Sequence, residues 1–299
     1  MQGIHIRPLG TLEELKQVEA VQRAAWDDPH TIIYQHMLIS LVRNGGSVVG
    51  ALKDGQVIGA VIGYLGLEDL DSERPAMANL KLVSQRMAVL PEFRNSGVGY
   101  DLKLAQRRFA IEYGLRLITW TFDPLNSRNA HFNLRKLGAL CQVYHRDYYG
   151  TADSALVKAH SSDRLLCEWW VTSNRVQQRL NGGRSSLSLQ MYLDGNANIL
   201  NPSRINAAHL PTPAEHLAQP NSTLALVEIP ENYDAIISAD EGLAVAWRAQ
   251  SRELLEGLLL QGWAATDFIH AEYEGRMRSF YGMSFAEYSD IRMTRFSTN

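Results

Sequence analysis

Apolar and polar positions along this chain change period several times, and each change marks an element. Residues 4–8 alternate as a first strand. Residues 11–26 carry apolar positions at helical spacing, with Thr11 placed to cap the N-terminus and Glu14 three residues on, a capping box. Two strand-like runs, 47–53 and 56–65, flank Asp54-Gly55, a hairpin turn pair. A further strand, 80–89, leads into a glycine-containing turn. Beyond it Val98, Leu102, Ala105, Phe109 and Tyr113 form one apolar helical stripe, and Gly114 ends the helix. A β-rich run over 115–122 is closed by Asp123-Pro124. A helix over 126–137, ended by Gly138, and a strand over 139–144 complete this half.

The second half is less even. Residues 163–172 look like a strand and 175–180 like a short helix. Residues 193–221 show little pattern and hold Pro202, Pro211, Pro213 and Pro220, which predicts a linker or a long irregular crossing. Regular pattern returns with a strand over 223–229 closed by Pro230, a helix over 241–261 capped by Asp240, then Gly262 and a strand over 263–269. Strand, Pro, helix, Gly, strand is also the order of 89–122. Val227-Glu228-Ile229-Pro230-Glu231 even echoes Ala88-Val89-Leu90-Pro91-Glu92, but no Gly-x-Gly follows Pro230. Two readings stand side by side. One is a degenerate copy of the first unit that completes the sheet, covers a substrate site or forms a homodimer. The other is an ordinary βαβ unit. The predicted division is 1–192, a linker over 193–222, and a C-terminal unit over 223–299.

The chemistry concentrates at Arg94-Asn95-Ser96-Gly97-Val98-Gly99. Two glycines one residue apart let the backbone turn tightly and approach a ligand with no Cβ in the way. The helix that follows offers unpaired N–H groups and the positive end of its dipole, a site for phosphate or pyrophosphate. A dinucleotide fingerprint needs a third glycine at position 102, where Leu102 stands, and no Gly-Lys-Ser or Gly-Lys-Thr of a P-loop occurs.

What remains resembles motif A of the GNAT superfamily of acyl-CoA-dependent N-acyltransferases, Gln/Arg-x-x-Gly-x-Gly/Ala, matched by Arg94 through Gly99. The order of elements over the first half resembles that family as well. The resemblance implies an α/β (α+β) fold: a mixed, mostly antiparallel twisted sheet flanked by helices, here with a C-terminal partial GNAT-like unit. It implies acetyl-CoA or another acyl-CoA as co-substrate. The pyrophosphate would lie on the backbone of Arg94, Asn95, Ser96, Gly97, Val98, Gly99 and Tyr100. The Arg94 side chain would add charge or simply cap the turn. The pantetheine arm would pair with the backbone of Met87, Ala88 and Val89 like an added strand, and Asn126, Asn129 and Asn133 complete the cofactor-binding set. Simple alternation puts Ser84, Arg86 and Ala88 on one face of that strand and Gln85, Met87 and Val89 on the other.

One departure from the family concerns the acid. Many members have a Tyr four residues before the glycine that ends the second helix, placed to protonate the leaving thiolate. Leu134 holds that position here. A thiol of pKa near ~8.5 can leave without strong acid help. Asn129 and Tyr144 are the catalytic candidates, with Asn133, Tyr148 and Tyr149 as neighbours that could substitute; for each tyrosine a packing role competes. A base is harder to name. Glu68, Asp69 and Asp71 follow the preceding strand and compete with a water relay, or form a solvated loop cluster. Some relatives of similar length are thought to N-succinylate amino acids, and on that resemblance Arg86 or Arg146 would hold a carboxylate.

Composition narrows the partners. A net charge of −3 argues against nucleic acid, which needs a basic face. The only cysteines, Cys141 and Cys167, lie in apolar runs and read as buried free thiols. No His-Glu-x-x-His or paired ligand spacing points to a metal. No run is apolar enough to span a bilayer and residues 1–10 are not a signal peptide, so a cytoplasmic protein is expected. The reading is acyl transfer, acetyl or succinyl, from acyl-CoA to a primary amine of a small molecule, with an amino acid as one candidate. The alternatives are a non-catalytic acyl-CoA-binding or sensing protein, and a purely structural one that binds no CoA.

Overall fold

In the computed structural model, residues 3–26, 31–68, 75–151, 157–183 and 186–285 are described. The chain forms two compact units, Met1–Trp120 and Thr121–Asn299.

The first unit follows the sequence pattern closely. Strand β1 (Ile4–Pro8) leads to α1 (Leu12–Ala25), whose capping box is present: Glu14 N–H donates to Thr11 Oγ1 at 3.3 Å, and Thr11 N–H donates to Glu14 Oε2 at 3.0 Å. A second helix, α2 (Gln35–Arg43), escapes the sequence reading; it is short and its N-cap, Tyr34, supplies no side-chain bond. Strands β2 (Ser47–Lys53) and β3 (Gln56–Leu67) make a hairpin over Asp54 and Gly55, both left-handed at φ 50° and 79°. Strand β4 (Leu80–Val89) pairs antiparallel with β3. After the glycine turn comes α3 (Val98–Glu112), then Gly114 at φ 72°, then β5 (Leu117–Phe122). Within the unit the strand order is β1-β2-β3-β4-β5, with only β4 and β5 parallel. Helices α1 and α2 cover one face with Leu15, Val18, Val21 and Leu38, and α3 covers the other with Val98, Leu102 and Ala105.

The buried face of α3 differs from the expected stripe. Val98, Leu102 and Ala105 are buried, but the stripe then continues through Lys103, Gln106 and Ala110. Phe109 stacks on Tyr113 at 4.3 Å, and Tyr113 is 59% exposed.

In the second unit, Asn126 caps α4 (Ser127–Ala130), and the chain widens into a π-helical turn over His131–Lys136 where one continuous α-helix was expected. Strands β6 (Leu140–His145) and β7 (Arg164–Trp170) are antiparallel, with Cys141 opposite Cys167 as buried free thiols. Helices α5 (Asn174–Leu180) and α6 (Leu189–Asp194) are capped by Ser173 and Ser188. Short strands β8 (Asn198–Ile199), β9 (Arg204–Ile205) and β10 (Pro211–Thr212) follow. The predicted linker is thus tied into the unit: β8 pairs with β11 (Leu224–Ile229), and Leu200 and Asn201 are fully buried. Then come α7 (Tyr233–Ala239), α8 (Glu241–Leu260), β12 (Trp263–Tyr273) and β13 (Arg276–Phe285). The strand order is β7-β6-β12-β13-β11-β8. β11 and β12 run parallel with β13 between them, since each pairs antiparallel with β13. The sequence reading missed β13 and ended β12 early, because the β12–β13 turn is Glu274-Gly275 and polar residues alternate on both sides of it.

Candidate functional site

The turn after β4 is built residue by residue to leave backbone donors open. Pro91–Phe93 form one 3-10 turn. Asn95 and Gly97 then take left-handed conformations at φ 60° and 89°, which Gly adopts without strain. Gly97 is the N-cap of α3, so no side-chain oxygen closes that helix end. Its carbonyl accepts from Tyr100 and Asp101 N–H at 2.9 and 3.1 Å. Among the described residues, nothing accepts from the N–H groups of residues 95–99. Asn95, Ser96 and Gly97 are exposed, at the positive end of the helix dipole. Gly99 faces β4: a Cβ built there would lie in ordinary contact with Met87 Cε, at 3.5 Å.

Side chains of the turn hold its shape. Ser96 Oγ donates to Phe93 O at 2.6 Å. Arg94 donates from Nε to Val89 O at 3.2 Å and from Nη2 to Ala25 O at 3.3 Å, tying the turn to the ends of β4 and α1. Of its two expected roles, this geometry is that of a cap.

Beside the turn, β4 has an open edge. It pairs with β5 only at Leu82–Ile118 and Val83–Thr119. From Ser84 to Val89 the strands fork, while β3 still holds the other edge of β4 through Val61–Met87, Ala60–Ala88 and Gly59–Val89. Such an edge offers main-chain donors and acceptors to an extended ligand. A bulge between Arg86 and Ser84 inserts Gln85 as an extra residue. It changes the expected alternation. Met87 and Val89 pack on the α3 side and Ala88 on the α1 side, but Ser84 joins the α3 side, where Lys103 Nζ donates to its Oγ at 2.8 Å. Arg86 lies over the Trp26 ring at 5.5 Å. Asp69 and Asp71 lie outside the described residues; Glu68 is exposed, and its N–H donates to Asn79 O at 2.8 Å.

The remaining candidates belong to the second unit. Asn126 Oδ1 accepts from Asn129 N–H at 3.0 Å, and the Asn129 side chain is exposed. Asn133 and Leu134 are buried. Tyr144 is buried and donates its hydroxyl to Asp163 Oδ2 at 2.6 Å. Burial first, and that bond second, raise its pKa well above the ordinary tyrosine value. Burial works to raise the Asp163 pKa too, but bonds from Arg252, Tyr144 and the Asp147 N–H outweigh it and hold the carboxyl at about 2. Tyr144 is therefore part of a closed ionic network. Tyr148 and Tyr149 are exposed. Arg146 is bound at Nε to both oxygens of Glu256, 2.9 Å each.

Sequence reasoning missed Lys103, Gln106 and Trp120, which gather beside Ser84. The signal was there, a Lys and a Gln three residues apart on the apolar face of α3, but long polar side chains are read as solvent-facing by default.

Comparison with known proteins gives this arrangement a class. Residues 12–139 match the model of the acetyltransferase (GNAT) family. Solved structures with a similar fold include a GNAT-family acetyltransferase from Elizabethkingia anophelis with acetyl-CoA bound, 16% identical over 57% of this chain and 99% of that one, TM-score 0.39. Another is an N-acetyltransferase from Staphylococcus aureus Mu50, 16% identical over 57% of this chain and 100% of that one, TM-score 0.44. A third is the ribosomal-protein-S18-alanine N-acetyltransferase from Escherichia coli, 16% identical over 56% of this chain and 94% of that one, TM-score 0.42. No curated protein matches the chain. No described helix is long and apolar enough to cross a membrane.

Proposed function

We propose that the chain transfers an acyl group from acyl-CoA to a primary amine of a small molecule, an amino acid among the candidates, by direct attack with both substrates bound. The observation that carries this is the uncapped N-terminus of α3 beside the forked edge of β4. The N–H groups of residues 95–99 suit a pyrophosphate, and the open edge at Met87, Ala88 and Val89 suits the amides of a pantetheine arm. Acyl-CoA brings the activated thioester. The chain's own residues bind and orient it, and an N–H of the open β4 edge is a donor for the carbonyl as negative charge develops. The amine must lose its proton, which a water chain accomplishes without a dedicated carboxylate for an amine of pKa near ~8. A homodimer and a cytoplasmic setting remain part of this proposal, as does the assignment of Asn126, Asn129 and Asn133 to the cofactor.

A second reading, a non-catalytic acyl-CoA sensor, is favoured by buried Leu134 at the family's usual acid position and by the engagement of Tyr144 with Asp163. One experiment separates the two. Thermal stabilisation is measured with CoA, acetyl-CoA, succinyl-CoA, NAD and ATP, then thiol release is followed with a panel of amines. A ligand at a hundredfold excess over Kd adds about 2.7 kcal/mol. Stabilisation by CoA species with amine-dependent thiol release supports the transferase. Stabilisation with no release under any amine supports the sensor. No stabilisation by CoA species removes both.

A further inference from the structure

The proposed acyl-CoA site makes no use of one tightly built turn. The chain leaves β6 at His145 and turns over residues 147–150, within the second unit. Asp147 is left-handed at φ 44°, uncommon for a residue with a side chain. What holds it there is complete pairing. The N–H of Asp147 donates to Asp163 Oδ1 at 3.0 Å, that of Tyr148 to Ser162 O at 3.2 Å, that of Tyr149 to Ser162 Oγ at 2.9 Å and that of Gly150 to Asp147 O at 2.8 Å. Ser162 Oγ in turn donates to Gly150 O at 2.6 Å, and Arg252 donates to both oxygens of Asp147 at 3.2 Å. Ser162 and Asp163, which carry the turn, are fully buried.

This frame holds two aromatic rings at the surface. Tyr148 is 50% exposed and Tyr149 42%, and their rings stand at 89° with centroids 4.9 Å apart. His145 tilts against Tyr148 at 5.1 Å, and buried Arg164, the cross-strand partner of His145, lies over the Tyr149 ring at 5.1 Å. Two perpendicular tyrosines make a corner. It offers an incoming ring one face to stack on and one ring to meet edge to face, the two arrangements aromatic pairs prefer. Charges around the corner balance: Arg252 pairs with Asp147 and Asp163, and Arg164 stands beside them. The corner therefore suits a neutral ring better than an ion.

Its place along the chain suggests whose ring that is. Thr119 makes the last pair of β5 with β4. Two residues further along the same strand, Thr121 Oγ1 lies 3.4 Å from Tyr149 Oη. The corner is thus anchored to β5 just past the point where that strand leaves β4.

We propose that Tyr148 and Tyr149 form a subsite for the acceptor, and that the acceptor is a primary amine carrying an aromatic ring. The ring seats in the corner and its amine arm follows β5. The inference rests on the transferase reading and adds the class of acceptor to it.

The test follows thiol release by the full chain with acetyl-CoA and succinyl-CoA and three amines: phenylpropylamine, cyclohexylpropylamine and hexylamine. Rates are expressed per unprotonated amine. The first two amines share a tether, and the saturated ring is the more apolar, so a merely greasy surface would not favour phenyl. The expected result is a kcat/KM for phenylpropylamine at least about fivefold above the other two, carried by KM. In a chain with Tyr148→Leu and Tyr149→Leu together, the phenyl-to-cyclohexyl ratio falls toward one. With Tyr148→Phe and Tyr149→Phe the ratio is kept, which sets the ring contact apart from any proton role of the hydroxyls. Equal kcat/KM values in the unaltered chain overturn the proposal, as does a leucine chain that keeps the full ratio or a phenylalanine chain that loses it. Should the leucine chain not fold, the three amines on the unaltered chain decide alone. Thiol release with indifference to the ring sinks this inference and leaves the transferase reading standing; no release with any amine sinks both.

Discussion

Two segments of this chain start alike and end differently. Past β4, Pro91 turns the chain and α3 begins at a glycine with no side-chain cap. Past β11, Pro230 turns the chain, and both helices that follow are closed by side chains: Asn232 accepts from Ala235 N–H at 3.1 Å and Asp240 from Leu243 N–H at 2.9 Å. An Asp at the N-cap satisfies one backbone donor and places negative charge at the positive end of the dipole. It makes a stable helix start and a poor anion site. The neighbouring strands differ in the same sense. The β4 edge is open from Ser84 onward, whereas β11 is paired on one side by β13 and on the other, at Ala225 and Leu226, by β8. Glu228 of β11 is buried with Arg278, and Arg276 also reaches it. One segment leaves backbone donors without an acceptor among the described residues and the other uses its polar groups on itself.

That contrast can be attacked from either side. The largest effect is expected in the self-satisfied segment. Arg278→Met leaves Glu228 buried without its main partner and lowers stability by about 3–5 kcal/mol, read from denaturant midpoints; a loss under 1 kcal/mol would show that the network is dispensable. Next comes the open segment. Gly97→Val forces a β-branched residue to φ 89° and weakens CoA binding by about a hundredfold, roughly 3 kcal/mol, by titration. Unchanged affinity would remove the turn from the site.

A pH effect of intermediate size is expected from Asp163. Its folded-state pKa of about 2 lies below the unfolded value near ~3.9, so its contribution is present above about pH 4 and is lost as pH falls through 2. The loss amounts to about 2 kcal/mol across that window, and Asp163→Asn flattens it. An identical acid profile in the variant would assign the acid sensitivity elsewhere. The smallest effect is expected from Asp240→Ala, which costs about 1 kcal/mol of stability while the thermal shift given by CoA stays as it was. A lost CoA shift in that variant would break the contrast.

Most of the first unit was legible because local and global signals agree there. The capping box at Thr11 and Glu14, the Asp54-Gly55 hairpin and the bounds of β1, β2 and β4 are set by short-range chemistry. What the sequence hid depends on tertiary contact. The bulge at Gln85 changes the parity of β4 and sends Ser84 to the α3 side, and no alternation rule anticipates an inserted residue. Lys103 and Gln106 are buried by that same arrangement, against the default for their types. In the second unit, β13 was hidden because its turn lacks the usual Asn-Gly or Asp-Gly, and the irregular stretch before β11 was read as a linker or a long irregular crossing because its order comes from burial of Leu200 and Asn201 rather than from periodicity. The uncapped turn was legible and the polar cluster beside it was not. The first is a backbone device written in glycines, and the second is a meeting of side chains from β4, α3 and β5.

The most direct test of the open-segment account is a CoA titration followed by amide 1H–15N shifts. The account predicts the largest changes at Asn95, Ser96, Gly97, Val98 and Gly99, with Glu241 and Gly242 at the start of α8 unmoved. Changes centred on the α8 N-terminus, or saturable binding that leaves residues 95–99 undisturbed, would contradict it.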